Sequence, residues 1–446
     1  MLTRFRLLLL VGGLLAVSSF AWADHPLAEV NEDPVLGALV ADALARNPDL
    51  LAAREALAAS RQRVPQAGAL PDPMLSVGYT NDGWSPSLGG QEMTTLAFMA
   101  SQDLPFPGKR RLQSDIASRE AGQVEQQLER TRLRLVAEVK RAYHGLLLAR
   151  DLLALTQEQR QVWGEIEGVV RARYAVGQGA QQDVLRVQVE LTRVEEREAE
   201  QAAEADIRLA ELNRLRDRSV EQPLETAATQ VLRPLVPSLT EALTQARGVS
   251  PELVSAGLAV ERNRLAIRLA QKELRPDFTL QAGYMNRGGL EPMWQAGIGV
   301  TLPMYRKKRT AAVAEAEARV RGGERLLESI DLQLRYRTQE RVTRLKTTER
   351  IATLYGNGII PQDRMSVEAA IANYKTGNVP FVTVLEALTT LYGDRWTHAR
   401  LVADHARLLA SLEEASLEPT AGMTAATAPP AALGESGAMS GGMSGR

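Results

Sequence analysis

The sequence predicts a mainly α fold with a small β part: a long coiled-coil helical tunnel plus four membrane strands per protomer, which form a shared 12-stranded barrel in a trimer. Three observations predict it. Long proline-free stretches carry apolar residues that step by three and four. Four short runs alternate apolar and polar residues over about the 9–11 positions that a tilted membrane strand needs. The whole plan also occurs twice, at an offset of about 200 residues.

The duplication is visible in five echoes in the same order. Asn47-Pro48-Asp49-Leu50 returns as Ser250-Pro251-Glu252-Leu253, and Leu70-Pro71-Asp72 as Arg275-Pro276-Asp277. Leu104-Pro105 with Lys109-Arg110-Arg111 returns as Leu302-Pro303 with Lys307-Lys308-Arg309. Tyr174-Ala175-Val176-Gly177 returns as Tyr374-Lys375-Thr376-Gly377, and Val184-Leu185 as Val384-Leu385. Two long repeats do not make a solenoid, which stacks several short ones.

The elements follow in chain order. Residues 1–23 read as a secretory signal: Arg4 and Arg6, the apolar run Leu7 to Val17, then Ala21-Trp22-Ala23 for cleavage. As a retained anchor the run is too short for about 30 Å of hydrocarbon. The first repeat, 24–218, opens with a helix over Pro34 to Val64, which Pro65 and the Pro71/Pro73 pair should end. Leu75, Val77 and Tyr79 alternate with polar or small residues, as do Leu96, Phe98 and Ala100, and Asn81-Asp82-Gly83 marks a turn between the runs. Leu112 to Arg173 is then one helix of about 90 Å, with Val136, Val139, Tyr143 and Leu146 as its seam. Gln181 to Arg216 returns, with Val184, Val187, Leu191 and Val194 in the same step.

Residues 219–237 link the halves, and 238–417 form the second repeat. Its strands alternate at Phe278, Leu280, Ala282 and Tyr284, and at Trp294, Ala296, Ile298, Val300 and Leu302, around the turn Asn286-Arg287-Gly288-Gly289. Tyr355-Gly356-Asn357-Gly358-Ile359-Ile360-Pro361 should break its long helix, so the repeats differ in shape. Residues 418–446, rich in Ala, Gly, Pro, Ser, Thr and Met, read as a disordered tail.

Composition narrows the function. With 53 basic and 54 acidic residues and a net charge of -1, the chain offers no case for nucleic acid as a partner. It has no cysteine, which excludes disulfides, thiolate metal sites, a cysteine nucleophile and a lipid on an N-terminal cysteine. Beyond the leader nothing approaches a transmembrane helix, so any membrane crossing must use strands. Four strands cannot close a useful pore, and open edges in lipid cost several kcal/mol per unpaired group. Three chains would supply twelve strands, against the roughly eight at which small barrels are filled by side chains.

With these features the plan resembles the TolC-like outer membrane efflux proteins, from about Pro34 to Leu417. The resemblance is carried by the duplicated half, by Leu104-Pro105-Phe106-Pro107-Gly108-Lys109-Arg110, and by Tyr174 to Leu185 and Tyr374 to Leu385. It implies a homotrimer, an outer-membrane barrel with a periplasmic tunnel, and two partners: a periplasmic adaptor (membrane fusion) protein and an inner-membrane transporter. The Pro-Phe-Pro-Gly-Lys-Arg segment is most similar to the heavy-metal branch, whose transporters are of the resistance-nodulation-division (RND) type. That similarity implies a passive conduit for metal cations, with no enzyme activity and no cofactor.

The resemblance also implies where the gate lies. Gly177 and Gly179, and Gly377 with Asn378 and Pro380, make the helix-to-helix turns at the periplasmic tip. Asp183 and Glu386 align with family carboxylates there. Thr383 stands where relatives carry Asp, and Val379 where a relative carries a gate arginine; both depart from the pattern. The alternative for Asp183 and Glu386 is ordinary solvated helix charge. The basic triplets Lys109, Arg110, Arg111 and Lys307, Lys308, Arg309 each follow a strand end, where they should meet outer-membrane lipid phosphates; simple snorkelling is the alternative. Trp84, Trp294, Phe98 and Phe106 are candidates for interfacial girdles.

Other signals are weak. His398 and His405 share a helix face without a third ligand, and Met423, Met439 and Met443 are too few for a Cu(I) site. No Ser-His-Asp, zincin, P-loop or dinucleotide pattern occurs. Three rival readings remain: a periplasmic adaptor, which has one helical hairpin rather than two; a secreted coiled-coil structural protein, which needs no membrane strands; and a type I secretion channel of the same plan.

Overall fold

The computed structural model describes residues 33–87, 92–226, 229–232, 234 and 237–418. The signal segment, most of the tail and the three tail methionines lie outside them.

The first half contains α1 (Pro34–Arg46), α2 (Pro48–Gly68), β1 (Met74–Thr80), β2 (Thr95–Leu104), α3 (Lys109–Ala175) and α4 (Gln181–Leu215). The second contains α5 (Leu239–Val249), α6 (Pro251–Lys272), β3 (Asp277–Arg287), β4 (Leu290–Thr301), α7 (Arg306–Leu354), a π-helical turn (Tyr355–Ile359), α8 (Ile360–Thr376) and α9 (Phe381–Glu413).

The expected single first helix is two helices. Asn47 separates them by capping both: its N–H donates to the Ala43 carbonyl, and its side-chain oxygen accepts from the amides of Asp49 and Leu50. Pro48, at the first helical position, lacks only an N–H that would have been unpaired there, and it pushes Asn47 into extended backbone. Ser250-Pro251 repeats the device between α5 and α6. Pro65, expected to end the first helix, lies inside α2, which runs on to Gly68. It sits close enough to the C-terminal end that the hydrogen bond it removes leaves most of the helix intact.

The long helices are longer than the patterning implied. At 1.5 Å per residue, α3 alone is about 100 Å, as is the run from α7 to α8. Tyr355 to Ile359 does not break that run; the chain passes through a single π turn, and Pro361 falls in the first turn of α8. A π turn absorbs the glycines and the proline by widening the helix, so the backbone ladder continues. Within α3 the predicted seam is inside: Val139, Tyr143 and Leu146 are buried against α1 and α4. Val187 and Val194 of α4 are fully buried as well.

The four strands form one antiparallel sheet in the order β1-β2-β3-β4, so the two hairpins lie side by side. The register lines up Leu75, Ala100, Ala282 and Ala296 in one row, and Val77, Phe98, Tyr284 and Trp294 in the next. These rows belong to one apolar face; Ser76, Met99, Gly283 and Gln295 belong to the other. The apolar face is open to its surroundings in the protomer, with Leu75 at 72%, Ile298 at 72% and Trp294 at 80%. Gly288, at φ 65°, makes the tight second hairpin turn, whereas the first connection extends from Asn81 to Thr94. Strands β1 and β4 have open edges among the described residues.

Candidate functional site

At one end of the long helices two turns meet. The α3–α4 and α8–α9 turns have the same hydrogen bonds: Gly177 to the Tyr174 carbonyl at 3.0 Å and Gln178 to that of Arg173 at 2.9 Å, matched by Gly377 to Tyr374 at 3.0 Å and Asn378 to Asn373 at 2.9 Å. This is the Schellman arrangement, and it needs left-handed backbone where the helix stops. Gly177 (φ 74°) and Gly377 (φ 80°) supply it. Asp183 and Thr383 then take equivalent places, each donating its amide to the carbonyl of Ala180 or Pro380.

The turns are joined through Arg173. One guanidinium nitrogen donates to the Gln178 carbonyl at 3.0 Å, and the guanidinium carbon lies 4.5 Å from the centre of the Tyr374 ring. The same nitrogen would stand 3.4 Å from a Cβ on Gly377, so the glycine leaves it room. Tyr374 is buried and meets Phe381 edge-on at 5.6 Å. Burial first, and then the negative charge of Asp183, push the Tyr374 hydroxyl above its ordinary range. Gly177, Gly377, Asp183 and the turn residue Asn378 are thus gathered at one end. Glu386 is exposed on α9 and makes no ion pair among the described residues. Val379 packs against the apolar cluster of this end, and the guanidinium here is that of Arg173. The sequence reading missed Arg173 and Tyr374 as site residues; their pairing crosses the repeats, and only the position of Tyr374 in a repeated motif hinted at it.

At the strand ends one expectation is overturned. Lys109 does not face lipid: it is buried, with its ammonium 2.8 Å from Asp277 and 3.2 Å from Glu273. A fully desolvated ammonium is tolerable only when carboxylates surround it. Arg309 also turns inward, to the carbonyl and carboxylate of Glu273. Arg110 is half-buried and donates to the Gly68 carbonyl at 2.9 Å, while Arg111, Lys307 and Lys308 are exposed. Trp84 and Trp294 are exposed, and Phe106 lies beneath the ammonium of Lys272 at 5.5 Å.

A polar seam interrupts the apolar packing between α9 and the α7–α8 run. Glu349, Gly356 and Asp363 follow one another at seven-residue intervals, as positions on one coiled-coil stripe do. His405 is buried with a ring nitrogen 3.7 Å from Glu349, and His398 lies against Gly356 in the π turn. No cluster of three potential metal ligands occurs among the described residues. Asp394 and Asp363 set two carboxyls together; burial, then the hydrogen bond and charge of Asp363, push Asp394 up to about 6. A raised carboxyl favours the packed state while protonated, and this contribution is lost as pH rises through about 6. Burial lowers both histidines, so their contribution is lost in the opposite direction, as pH falls. Asp394→Asn is therefore expected to stabilise the protein at pH 8, on the order of 1 kcal/mol after allowance for solvent screening, and to lose that advantage below about pH 4, where the carboxyl is protonated in the unfolded chain as well. Thermal melts in the two pH ranges check it; equal shifts in both would count against the carboxyl pair.

Comparison with known proteins now places this architecture. The model of the outer membrane efflux protein family matches residues 39–216 and 242–416, one segment per repeat. The outer membrane protein TolC of Vibrio cholerae is 24% identical over 402 residues, which cover 84% of this chain and 86% of TolC. The alkaline protease secretion protein AprF of Pseudomonas aeruginosa is 28% identical over 193 residues, so the match spans 40% of this chain and only 39% of AprF. The solved structure of CusC, described for its folding and transmembrane channel formation, superposes with a TM-score of 0.71 at 19% identity, over 86% of this chain and 92% of CusC. The chain therefore belongs to the outer membrane efflux protein family, as an outer-membrane channel protein with its long helices in the periplasm.

Proposed function

We propose that the chain is the outer-membrane channel of a tripartite efflux pump, a passive homotrimeric conduit. In this reading it receives cargo from an inner-membrane RND-type transporter through a periplasmic adaptor protein, and the cargo class is metal cations. The observation that carries the channel reading is the pair of open sheet edges below one continuous apolar face. Backbone groups at such edges must be paired in lipid, and β1 of one copy against β4 of the next pairs them. The repeats, at 24–218 and 238–417 around the linker 219–237, then each supply one hairpin to the barrel and one helical pair to the tunnel. The metal reading rests on the Pro105 to Arg110 segment. A second reading, a secretion channel, is favoured by the partial match to AprF.

The tip is the gate in this proposal. Asp183 and Glu386 set negative charge at the constriction, and Gly177, Gly377, Asn378 and Thr383 shape the turns that present it. The remaining buried nitrogens of Arg173 have no hydrogen-bond partner among the described residues, which leaves them to a neighbouring copy or to water. Mass in mild detergent and conductance in a planar bilayer test the whole. A trimer with aqueous pores is expected; a soluble monomer, silent in the bilayer, would bring the adaptor reading forward. Asp183→Asn with Glu386→Gln should lower cation preference and change conductance by about twofold or more, since rings of like charge dominate ion passage at a constriction. Unchanged channels would remove both residues from the gate.

A further inference from the structure

A cavity of about 830 Å³ lies where the sheet meets the helices. Leu104, Phe278, Leu280 and Ile298 form one wall, and all four belong to the apolar face of the sheet. The Pro105–Gly108 turn and the end of α2 close the far side, and Arg110 and Arg111 stand at the first turn of α3. The volume falls in the range that holds a small-molecule ligand, about 300–1,000 Å³. In a barrel the polar face lines the lumen and the apolar face meets hydrocarbon. The cavity therefore opens on the lipid side, at the level where the strands leave the membrane.

The charge at its rim is uncommitted. Lys109 is neutralised by Asp277 and Glu273, deeper in the protomer. Arg110 spends one nitrogen on the Gly68 carbonyl, and neither Arg110 nor Arg111 has an ion-pair partner among the described residues. Asp115 is the one carboxylate on the lining, so the rim carries net positive charge next to an apolar wall.

We propose that this cavity binds one glycerophospholipid of the periplasmic leaflet per protomer, with its phosphate on Arg110 and Arg111 and an acyl chain along Leu104, Phe278, Leu280 and Ile298. The proposal rests on the outer-membrane channel reading. Guanidinium forks match phosphate oxygens in planar, paired geometry, and a lipid is the ligand that joins a phosphate to an apolar chain at this depth. Arg110, held in place by Gly68, fixes the headgroup; Arg111 is free to close on it.

The test is native mass spectrometry of the delipidated, detergent-extracted full chain titrated with phosphatidylglycerol. Saturable binding of up to one lipid per protomer is expected. Arg110→Gln with Arg111→Gln should weaken it about tenfold or more, at about 1 kcal/mol per basic residue near an anionic headgroup. The corresponding double lysine variant should recover part of the loss. Ser114→Trp, which fills the cavity and leaves both arginines, should abolish saturation, while Lys346→Gln with Arg350→Gln, exposed on α7 well away from the sheet, should change nothing. If the glutamine variant does not assemble, Ser114→Trp decides alone. A conducting trimer whose lipid binding is unsaturable, or equal in wild type and variants, would overturn the lipid site and leave the channel standing. Cross-linking from position 114 to a neighbouring protomer would also overturn it, since the cavity would then be an intersubunit seam. A monomer without conductance would instead remove the channel reading itself.

Discussion

Arginine in place of Ala296 is expected to abolish the assembled channel, and arginine in place of Gln295 to leave it intact. The two residues are neighbours at the middle of β4 but point to opposite faces. Ala296 stands in the row with Leu75, Ala100 and Ala282, on the apolar face. A lipid-facing arginine at mid-membrane costs about 2–4 kcal/mol. Three copies raise that to roughly 6–12 kcal/mol per trimer, comparable with the whole stability of a typical protein. Gln295 shares its row with Gly283, Met99 and Ser76, where the pore is wet and a guanidinium stays hydrated. Yield of detergent-extracted trimer and pore conductance read the contrast. Equal damage from both substitutions would mean that the apolar face does not meet lipid.

Removal of the Glu414 carboxylate is expected to destabilise the folded chain by about 2–3 kcal/mol, the cost of taking a buried acceptor away from two charged donors that keep only part of their partners. Glu414 is buried and lies 2.5 Å from Arg130 and 2.8 Å from Arg141, both on α3. Arg130 also pairs with Glu252 of α6 at 3.1 Å and donates to Ser416 at 2.9 Å. The chain reverses at Ala415, with φ at 49°, and Arg341 of α7 then holds the carbonyls of Ser416 at 2.7 Å and Glu418 at 3.0 Å. Arg341 is buried, and that burial pushes its guanidinium below its usual value. This clasp ties the end of α9 to helices from both repeats, far from the membrane strands and from the tip. Glu414→Ala should lower the melting temperature and expose the residues after α9 to protease. Glu315→Ala, which breaks an exposed i,i+4 pair with Arg319, should cost less than about 0.5 kcal/mol. If the two variants melted alike, the clasp would carry no more than a surface pair does.

Much of the architecture was legible because it is local. Strand alternation reports which face a side chain takes, and the sheet register arranged Val77, Phe98, Tyr284 and Trp294 as their alternation required. The seam of α3 needed only the step of three and four, and the tip turns needed only glycine where the backbone must be left-handed. Local reasoning failed where tertiary packing overrides a local signal. Pro65 marked a helix end, but its hydrogen-bond loss falls near the end of α2 and is small beside the packing of α2 on α3. The glycines and proline from Tyr355 to Pro361 marked a break, but packing against α9 holds them in a π turn.

By itself the sequence determined the duplicated plan, the four strands with one apolar face, the long coiled-coil helices and the turns at the tip. All of these follow from periodicities and backbone preferences that act over a few residues. Only the tertiary structure decided the charges. Lys109 meets Asp277 across 168 positions, Arg130 meets Glu414 across 284, and Arg173 meets Tyr374 from the other repeat. Whether a charged side chain lies in water, against a lipid headgroup or against a buried carboxylate depends on which helix packs beside it, and neighbours so distant in the chain leave no local pattern.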